Sequence, residues 1–345
     1  PAHTFSIGFA ANGFDEIEYA RITARHFGTV SHELYVTPEH VAEAMPMIAA
    51  AYDEPFGNAS AVPTYFCARL ARSHDIEVLL AGDGGDEFFG GNARYAKQGI
   101  FEHYWKLPRF ARGILEASLL KLPQDVEPLL LRKMRSYVSQ ARVPLPDRLE
   151  SYNFLHRTPL DTVFDPAFLT KVDVDRPLAL MRDTYQRSTS AELVDRMMHL
   201  DHKFTLADND LRKVTRMCEA AGVEVRFPFL DEDLIAFSGR LISRQKVAGN
   251  RLRVFFKEAL SDYLPRETIA KSKHGFGLPF GLWLAQEGSL RDLANEALKS
   301  LAHRGIVRSD YLTQLRCAHQ NEHASYYGVM IWILVQLELW LQRRA

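Results

Sequence analysis

An alternation of short apolar strands with amphipathic helices is the feature of this chain that most constrains its fold. Residues 4–9 (TFSIGF), 32–36 (HELYV) and 77–81 (EVLLA) have the length and composition of buried strands. Apolar residues at helical spacing fill the intervals between them. Parallel strands need such helical crossovers, which cover the faces of the sheet. The sequence therefore predicts an α/β fold built on a parallel sheet.

The predicted helices of this part have start and stop residues of the expected kinds. Asp15 stands at an N-cap position, and Gly28 supplies the stop of the same helix. Thr37 followed by Pro38 opens the next helix, because proline is favoured in a first turn. A third helix is expected to end near residue 73.

The remainder of the chain is predicted to be mainly helical. Residues 98–190 show no strand pattern, and residues 193–204 have one apolar helical face. Residues 223–229 form one further candidate strand. We therefore expect an α/β core in residues 1–97, with residues 98–345 as the mainly helical remainder of the same domain.

The apolar segment 328–341 has the composition of a membrane span but not the length. Gln336 and Glu338 interrupt it, whereas a span needs about 20 consecutive, mainly apolar residues. We predict a buried core helix here and no membrane partner.

The charge balance argues against partners that bind through bulk charge. The chain has 42 Lys and Arg against 43 Asp and Glu, a net charge of −1. Nucleic acids and anionic membranes attract strongly basic surfaces, so neither is an expected partner. Cys67, Cys218 and Cys317 are widely spaced and odd in number, which fits neither a disulfide framework nor a cysteine-rich zinc site. Together with the lack of a visible signal peptide, this predicts a cytoplasmic protein.

A loop rich in glycine and carboxylates follows the strand 77–81 and is the sharpest chemical feature of the sequence. Residues 82–87 (GDGGDE) lie where open parallel sheets bind ligands, beyond the carboxyl end of a strand. Glycine lets backbone N–H groups approach a phosphate, and clustered carboxylates favour Mg²⁺. The alternative is a tight acidic turn, which uses the same residue types.

A second loop, residues 271–279 (KSKHGFGLP), places Lys273 beside glycines in apolar surroundings. Such a lysine supplies a point charge for a leaving phosphate. Taken alone, a solvated loop lysine is the simpler interpretation.

The pattern H-x-x-E-H at residues 319–323 matches a zinc-peptidase motif. Such a site also needs a third protein ligand further along, and Glu338 is the only acid that follows. A polar helical face is therefore the favoured interpretation of His319, Glu322 and His323.

Taken together, these segments resemble the synthetase domain of the glutamine-dependent asparagine synthetases of the bacterial B type. The matching runs are TFSIGF (4–9), FDEIEYARITARHFGTVSHE (14–33), DEPFGNASAVPTY (53–65), LLAGDGGDEFFGG (79–91), VEVRFPFLD (223–231) and SKHGFGLPFGLWL (272–284). The resemblance implies a parallel-sheet fold like that of the N-type ATP pyrophosphatases, which are adenine nucleotide alpha hydrolase-like. It also implies ATP and Mg²⁺ as cofactors.

The resemblance assigns a nucleotide-binding role to residues near two strand ends. Ile7 matches the position against the adenine. Ala81 and Gly82 match a Ser-Gly pair at the nucleotide, with alanine in place of serine. Gly84 and Gly85 complete the expected phosphate-binding backbone.

Three charged residues match positions that act on the phosphates. Asp83 matches the acid associated with adenylate formation, and Asp86 matches the Mg²⁺–pyrophosphate ligand. Lys273 matches the lysine that neutralises the phosphates in the transition state, so the resemblance reverses the simpler interpretation of this residue.

The chain also departs from the family. Nothing matches the phosphate loop S-G-G-x-D-S or the glutaminase part with its N-terminal cysteine, and Asn92 replaces a tyrosine. We therefore expect a C-terminal fragment of a longer protein, lacking a strand between strands 4–9 and 77–81 and inactive alone. Its expected partners are a small carboxylate, ammonia from a glutaminase domain and a second copy in a homodimer.

The function implied is ATP-dependent amidation of a carboxylate, aspartate to asparagine first, through an acyl-adenylate with release of pyrophosphate and AMP. Two alternatives stay open from the sequence. One is amidation of a different carboxylate in cell-surface polysaccharide assembly. The other is a nucleotide-binding module without catalysis.

Overall fold

In the computed structural model, which describes residues 1–11, 13–120, 128–271 and 277–344, the strands form three two-stranded sheets. The strands are β1 (His3–Phe9), β2 (Val30–Val36), β3 (Val78–Leu80), β4 (Glu224–Arg226), β5 (Val247–Ala248) and β6 (Arg251–Leu252). β1 pairs with β2 and β3 with β4, both in parallel, whereas β5 and β6 are antiparallel. Parallel strands were expected, with strands 4–9 and 77–81 not adjacent to each other. Within the described residues β1 and β3 do not pair, and no continuous sheet forms there.

Helices make up most of the described chain. They are α1 (Ile17–Phe27), α2 (Pro38–Ala51), α3 (Ala61–Arg72), α4 (Gly85–Phe89), α5 (Ala93–Trp105), α6 (Arg109–Leu120), α7 (Leu129–Ala141), α8 (Asp147–Glu150), α9 (Phe154–Arg157), α10 (Leu160–Val163), α11 (Pro166–Leu169), α12 (Arg176–Gln186), α13 (Leu193–Asp201), α14 (Arg212–Ala220), α15 (Glu232–Arg240), α16 (Ser243–Lys246), α17 (Val254–Ala259), α18 (Arg266–Ala270), α19 (Phe280–Leu284), α20 (Ser289–Leu301), α21 (Ser309–Asn321) and α22 (Ala324–Gln342). A π-helical segment, His202–Leu211, joins α13 to α14.

The helix signals in the sequence act largely as expected. The Thr37 hydroxyl accepts a hydrogen bond from the His40 backbone N–H at the start of α2. Gly28 ends α1 in the left-handed conformation, with φ of +62°. Asp15 is one residue too early for the predicted N-cap, but its carboxylate still accepts from the Ile17 N–H at 3.2 Å.

The largest hydrophobic cluster surrounds α22, which α2, α19, α20 and α21 contact. By length and composition α22 is apolar enough to cross a membrane, but half of its most apolar window is buried inside the protein. Glu338 on this helix is fully buried and accepts hydrogen bonds from Arg304 and Ser300. The prediction of a core helix is therefore confirmed.

One core serves both predicted parts of the chain. The same cluster contains Ile7 and Phe66 from the first part and Trp283 and Trp332 from the second. Helix α5 runs across residue 97 without interruption. The division at residue 97 therefore stays a prediction.

Candidate active site

A groove of about 1130 Å³ is lined by residues of β1 and of β3. Helices α1, α3 and α14 supply further lining side chains, so the groove lies where the two parallel strand pairs face the same space. Its surface is mainly apolar, and Leu80 on β3 is 71% exposed. An apolar strand residue is normally covered in a parallel sheet. The groove therefore exposes apolar strand residues that a parallel sheet would normally cover.

Three of the predicted nucleotide-site residues line this groove: Ile7, Ala81 and Asp83. The Ala81 N–H donates to the Arg226 carbonyl at 2.9 Å, which extends the β3–β4 pairing by one residue. Gly82 follows with open space where a side chain would begin. The backbone that follows β3 is therefore exposed at the groove.

Asp83 shares the groove with Lys213, which sequence reasoning did not select. Burial raises the pKa of Asp83, the Lys213 ammonium acts to lower it, and the Asp210 carboxylate acts to raise it. The Lys213 ammonium lies 2.9 Å from an Asp210 carboxylate oxygen, and both side chains are largely buried. An acid, a cation and a second acid therefore interact at one end of the groove.

Asp210 and Lys213 come from the junction between the π-helical segment and α14. Wide π-type turns inside helices recur at functional sites because they redirect side chains. The available sequence signal was a pair of opposite charges three residues apart at the start of a strongly amphipathic helix. That signal does not distinguish a site from an ordinary surface pair.

Asp86 does not line the groove. Its Oδ1 accepts from Arg253 Nε at 2.8 Å and also from a second guanidinium nitrogen of the same residue. The Arg253 N–H donates to the Gly90 carbonyl at 3.2 Å. A Cβ on Gly91 would lie 1.8 Å from Asp86 Oδ1, so only glycine fits beside this carboxylate. The ion pair and the close backbone approach fix the position of Asp86.

The glycines of the loop serve packing in this structure. Gly84 has φ of +95°, and a Cβ there would lie 2.8 Å from the Leu230 side chain. Gly85 begins α4, where a Cβ would contact Phe229. Their role toward a phosphate stays a prediction.

The residues present fit a metal ion that arrives with a nucleotide. Within residues 1–11, 13–120, 128–271 and 277–344, no group of three or more His, Cys, Asp or Glu side chains is placed to hold a metal. Asp86 offers one carboxylate, already bonded through Oδ1 to Arg253. Proteins commonly hold Mg²⁺ by one or two carboxylates plus substrate phosphates, so a single carboxylate suits Mg-ATP as the substrate.

Lys273 lies outside the described residues, which omit 272–276. Lys271, which precedes this segment, lines the groove, and its ammonium is 2.8 Å from Glu16 Oε2. The same ammonium lies 4.8 Å from the centre of the Tyr19 ring. Lys271, the last described residue before position 272, therefore lies at the groove.

The zinc alternative finds no support in the geometry. His319 is buried and its Nε2 lies 2.8 Å from the Gly281 carbonyl oxygen. His323 Nδ1 accepts from the Tyr326 N–H at 3.1 Å, and Glu322 accepts from the Tyr327 hydroxyl. The expected polar helical face is wrong for His319, because α21 packs this ring into the interior.

Comparisons with known proteins all point to the same family. The asparagine synthase family matches residues 1–342. Asparagine synthetase [glutamine-hydrolyzing] 1 of Bacillus subtilis is 24% identical over 344 residues, covering 98% of this chain and 51% of that protein. A putative asparagine synthetase [glutamine-hydrolyzing] of Mycobacterium bovis is 28% identical over 355 residues, covering 96% and 50%. A putative asparagine synthetase [glutamine-hydrolyzing] 2 of Methanocaldococcus jannaschii is 40% identical over 124 residues, covering 36% and 23%. The chain spans about half the length of the first two relatives.

Proposed function

The chain belongs to the asparagine synthase family, and on this premise we propose that it is the ATP-dependent ligase part of a glutamine-dependent amidotransferase. The carboxylate of the acceptor attacks the α-phosphorus of ATP, forming an acyl-adenylate and releasing pyrophosphate. Ammonia then attacks the acyl carbon and AMP leaves. We propose aspartate as the acceptor, a glutaminase part as the source of ammonia, and the cytoplasm as the location.

The observation that carries this proposal is the groove in which Ile7, Ala81, Asp83 and Lys213 meet. The groove runs beside β1 and β3, and it includes Ala81 and Asp83 at the carboxyl end of β3, where we propose that the nucleotide binds. Ile7 and Ala81 provide apolar and backbone surface for the base and sugar. Ala81 and Asp83 directly follow β3, and ligands of open parallel sheets bind beyond the carboxyl ends of the strands.

The charges of the groove suit adenylation. Negative charge grows on the phosphates as pyrophosphate leaves, and a cation already in place stabilises it without reorganisation. Lys213 is such a cation, and its contact with Asp210 holds the ammonium beside Asp83. Lys273 is proposed to add a second cation from the adjacent loop. Mg²⁺ bound to the nucleotide would neutralise the leaving group.

Asp86 is proposed to meet the nucleotide-borne Mg²⁺ through its carboxylate. The guanidinium fixes the carboxylate rotamer and offsets repulsion among the acids of the loop. A carboxylate that is held in place before the nucleotide binds contributes more to catalysis than a mobile one.

Acceptor-dependent pyrophosphate release tests the proposal. The chain, extended to the length of its relatives, is given Mg-ATP with aspartate, glutamate or a uronic acid, each with glutamine or ammonium. We expect release of pyrophosphate and AMP with aspartate, and loss of both in Asp83→Asn. Release with only the uronic acid would reassign the acceptor. Nucleotide binding without release under any condition would refute catalysis.

A further inference from the structure

A second cavity, of about 420 Å³, lies in the helical part of the protein. It is bounded by α5, α12, α13 and the segment 144–146, and it shares no lining residue with the groove between the strand pairs. Its volume is at the lower end of the range for small-molecule sites. The cavity therefore has the size of a binding site separate from the proposed active site.

Arg196 brings an unsatisfied cation to this cavity. Its Nε is buried and has no hydrogen-bond partner within the described parts of the chain. The guanidinium lies over the Tyr185 ring, 4.2 Å from its centre. Arg196 also lines the cavity, so the positive charge of its guanidinium is available to a ligand there.

The acid in the cavity wall already has a partner. Glu102 accepts from the guanidinium of Arg148, whose side chain is fully buried. Arg148 also donates to Gln98 Oε1 at 2.6 Å. The charge of Glu102 is thus balanced within the protein, which leaves the Arg196 charge for a ligand.

The charges that act on Tyr185 also leave one positive charge in excess. Burial raises the pKa of this phenol, Arg196 and Arg148 act to lower it, and Glu102 acts to raise it. Two cations and one anion therefore surround the ring, a net charge of one positive unit. A ligand with one negative charge matches this field, and Glu102 disfavours a second negative charge nearby.

Besides the polar Gln186, several aliphatic and aromatic side chains form the remaining walls. Trp105, Pro144, Pro146 and Leu193 line the cavity together with the Tyr185 ring. Such a surface favours a ligand with a flat or branched hydrocarbon body, because burying apolar area stabilises the complex.

We propose that this cavity is a binding site for a small monocarboxylate with an aromatic or branched apolar body. The ligand carboxylate pairs with the Arg196 guanidinium, and its hydrocarbon body lies between Trp105 and Tyr185. The site is independent of the groove, so it neither requires nor tests the ligase function.

Four probes separate charge from shape. Phenylacetate carries both features, phenylacetamide has the ring without the charge, acetate has the charge without the ring, and phosphate is an inorganic anion. Binding to the 345-residue chain is measured by isothermal titration, and the rise in Tm provides a second readout. We expect phenylacetate to bind at least about tenfold more tightly than the other three, because a hydrogen bond to a charged group contributes about 1.5–3 kcal/mol. Added salt should weaken its binding.

Variants then locate the site. Arg196→Gln should lose at least about tenfold in phenylacetate affinity, and Arg196→Lys should retain part of it. Arg187→Gln is the matched control, since Arg187 lies at the end of α12, pairs with Asp183 and is exposed. If Arg196→Gln fails to fold, Arg196→Lys and quenching of tryptophan fluorescence in the wild type, tested against Trp105→Phe, decide the question.

Several results would overturn the proposal. Equal binding of phenylacetate and phenylacetamide would remove the role of charge. Phosphate binding as tightly as phenylacetate would indicate a site for inorganic anions. Unchanged affinity in Arg196→Gln, or no binding of any probe, would show that the cavity is a packing gap.

Discussion

Asp86 and Arg253 lie 167 positions apart in the sequence, and their contact changes what neutralising the acid should do. A cluster of carboxylates alone would become more stable on losing a charge. In the structure each side chain is only about a quarter to a third exposed, and the guanidinium makes two hydrogen bonds to one oxygen. The pair therefore contributes to the fold as well as to the site.

We predict that Arg253→Gln lowers the free energy of unfolding by about 1–3 kcal/mol, because the partly buried ion pair and its two hydrogen bonds to Asp86 are lost. Urea unfolding measures the change. Arg251→Gln is the control, since its pair with Glu258 is exposed on both sides and should change stability by less than about 1 kcal/mol. Equal losses in the two variants would show that the Asp86–Arg253 contact stabilises the protein no more than an exposed ion pair does.

Asp83 should make stability depend on pH in a defined direction. Burial raises its pKa, so above about pH 4 the folded chain binds this proton more tightly than the unfolded chain. The contribution of Asp83 to the free energy of unfolding therefore falls as pH rises through and beyond that value.

We predict that Asp83→Asn is more stable than the wild type at pH 7 and that the difference shrinks toward pH 4. Urea unfolding at several pH values between these limits measures it. A variant less stable at pH 7, or a difference independent of pH, would contradict the role of burial.

Residue identities at the site were only partly predictable. Ile7, Ala81 and Asp83 were grouped by the family resemblance, and all three side chains line the groove. Lys213 and Arg253 come from distant helices. Only tertiary packing shows that their side chains reach the same loop and groove.

At the scale of elements, α22 shows how a polar residue fits into an apolar helix. Glu338 is fully buried, and Arg304, Ser300 and Gln342 donate to its carboxylate. From the sequence alone, Glu338 is recognisable only as an acid that interrupts an apolar run. The structure shows that α20 and its C-terminal turn supply the partners.

We predict that Arg304→Ala lowers the free energy of unfolding by about 3–5 kcal/mol, because it leaves an uncompensated charge in the core. Arg343→Ala, at the exposed end of the same region, should change it by no more than about 0.5 kcal/mol. Chemical denaturation of both variants measures the difference. A small loss for Arg304→Ala would mean that Ser300 and water suffice to satisfy the acid.

Helices α19 and α22 approach through two glycines. A Cβ on Gly328 would lie 2.4 Å from the Gly281 Cα, and a Cβ on Gly281 would lie 2.3 Å from the Ala324 carbonyl oxygen. Both obstacles are backbone atoms, so the helices must separate to accept a methyl group. This contact was not predictable, because it depends on how two helices cross.

Gly328→Ala should therefore destabilise the protein by about 1–3 kcal/mol through overpacking, despite the higher helix propensity of alanine. Gly99→Ala on α5 is the control, since nothing lies within 4 Å of a Cβ there. That variant should gain up to about 1 kcal/mol. Thermal unfolding with calorimetry measures both, and a gain in Gly328→Ala would mean that the crossing adapts without strain.

At the scale of the whole molecule, local patterns predicted the elements better than their assembly. The parallel pair β1–β2 follows from two apolar runs separated by a helix. The strands of the pair β3–β4 were predicted, but their pairing with each other was not. The absence of a continuous sheet within the described residues does not follow from any local pattern. β1 and β3 each have one paired neighbour there, and the groove occupies the space beside both.

The resemblance to the asparagine synthetases assigns a further strand and its S-G-G-x-D-S loop to a place between strands 4–9 and 77–81, where this structure has the groove. Leu80 is largely exposed on that side, and Val78 is 39% exposed. A strand placed there would bond to both open edges, cover these side chains and bring backbone N–H groups to the phosphates. Asp86 and Lys273 would then face a cradled pyrophosphate.

We therefore predict that the 345-residue chain binds Mg-ATP weakly and releases no pyrophosphate, and that adding a preceding segment with the S-G-G-x-D-S loop raises affinity by at least about tenfold. The added loop supplies several hydrogen bonds to charged phosphate oxygens, each contributing about 1.5–3 kcal/mol. Titration calorimetry of both forms measures the difference. A segment with the loop changed to S-A-A-x-N-S controls for strand addition alone and should restore stability but not nucleotide affinity. Tight binding with pyrophosphate release by the 345-residue chain would show that the groove is complete without a further strand.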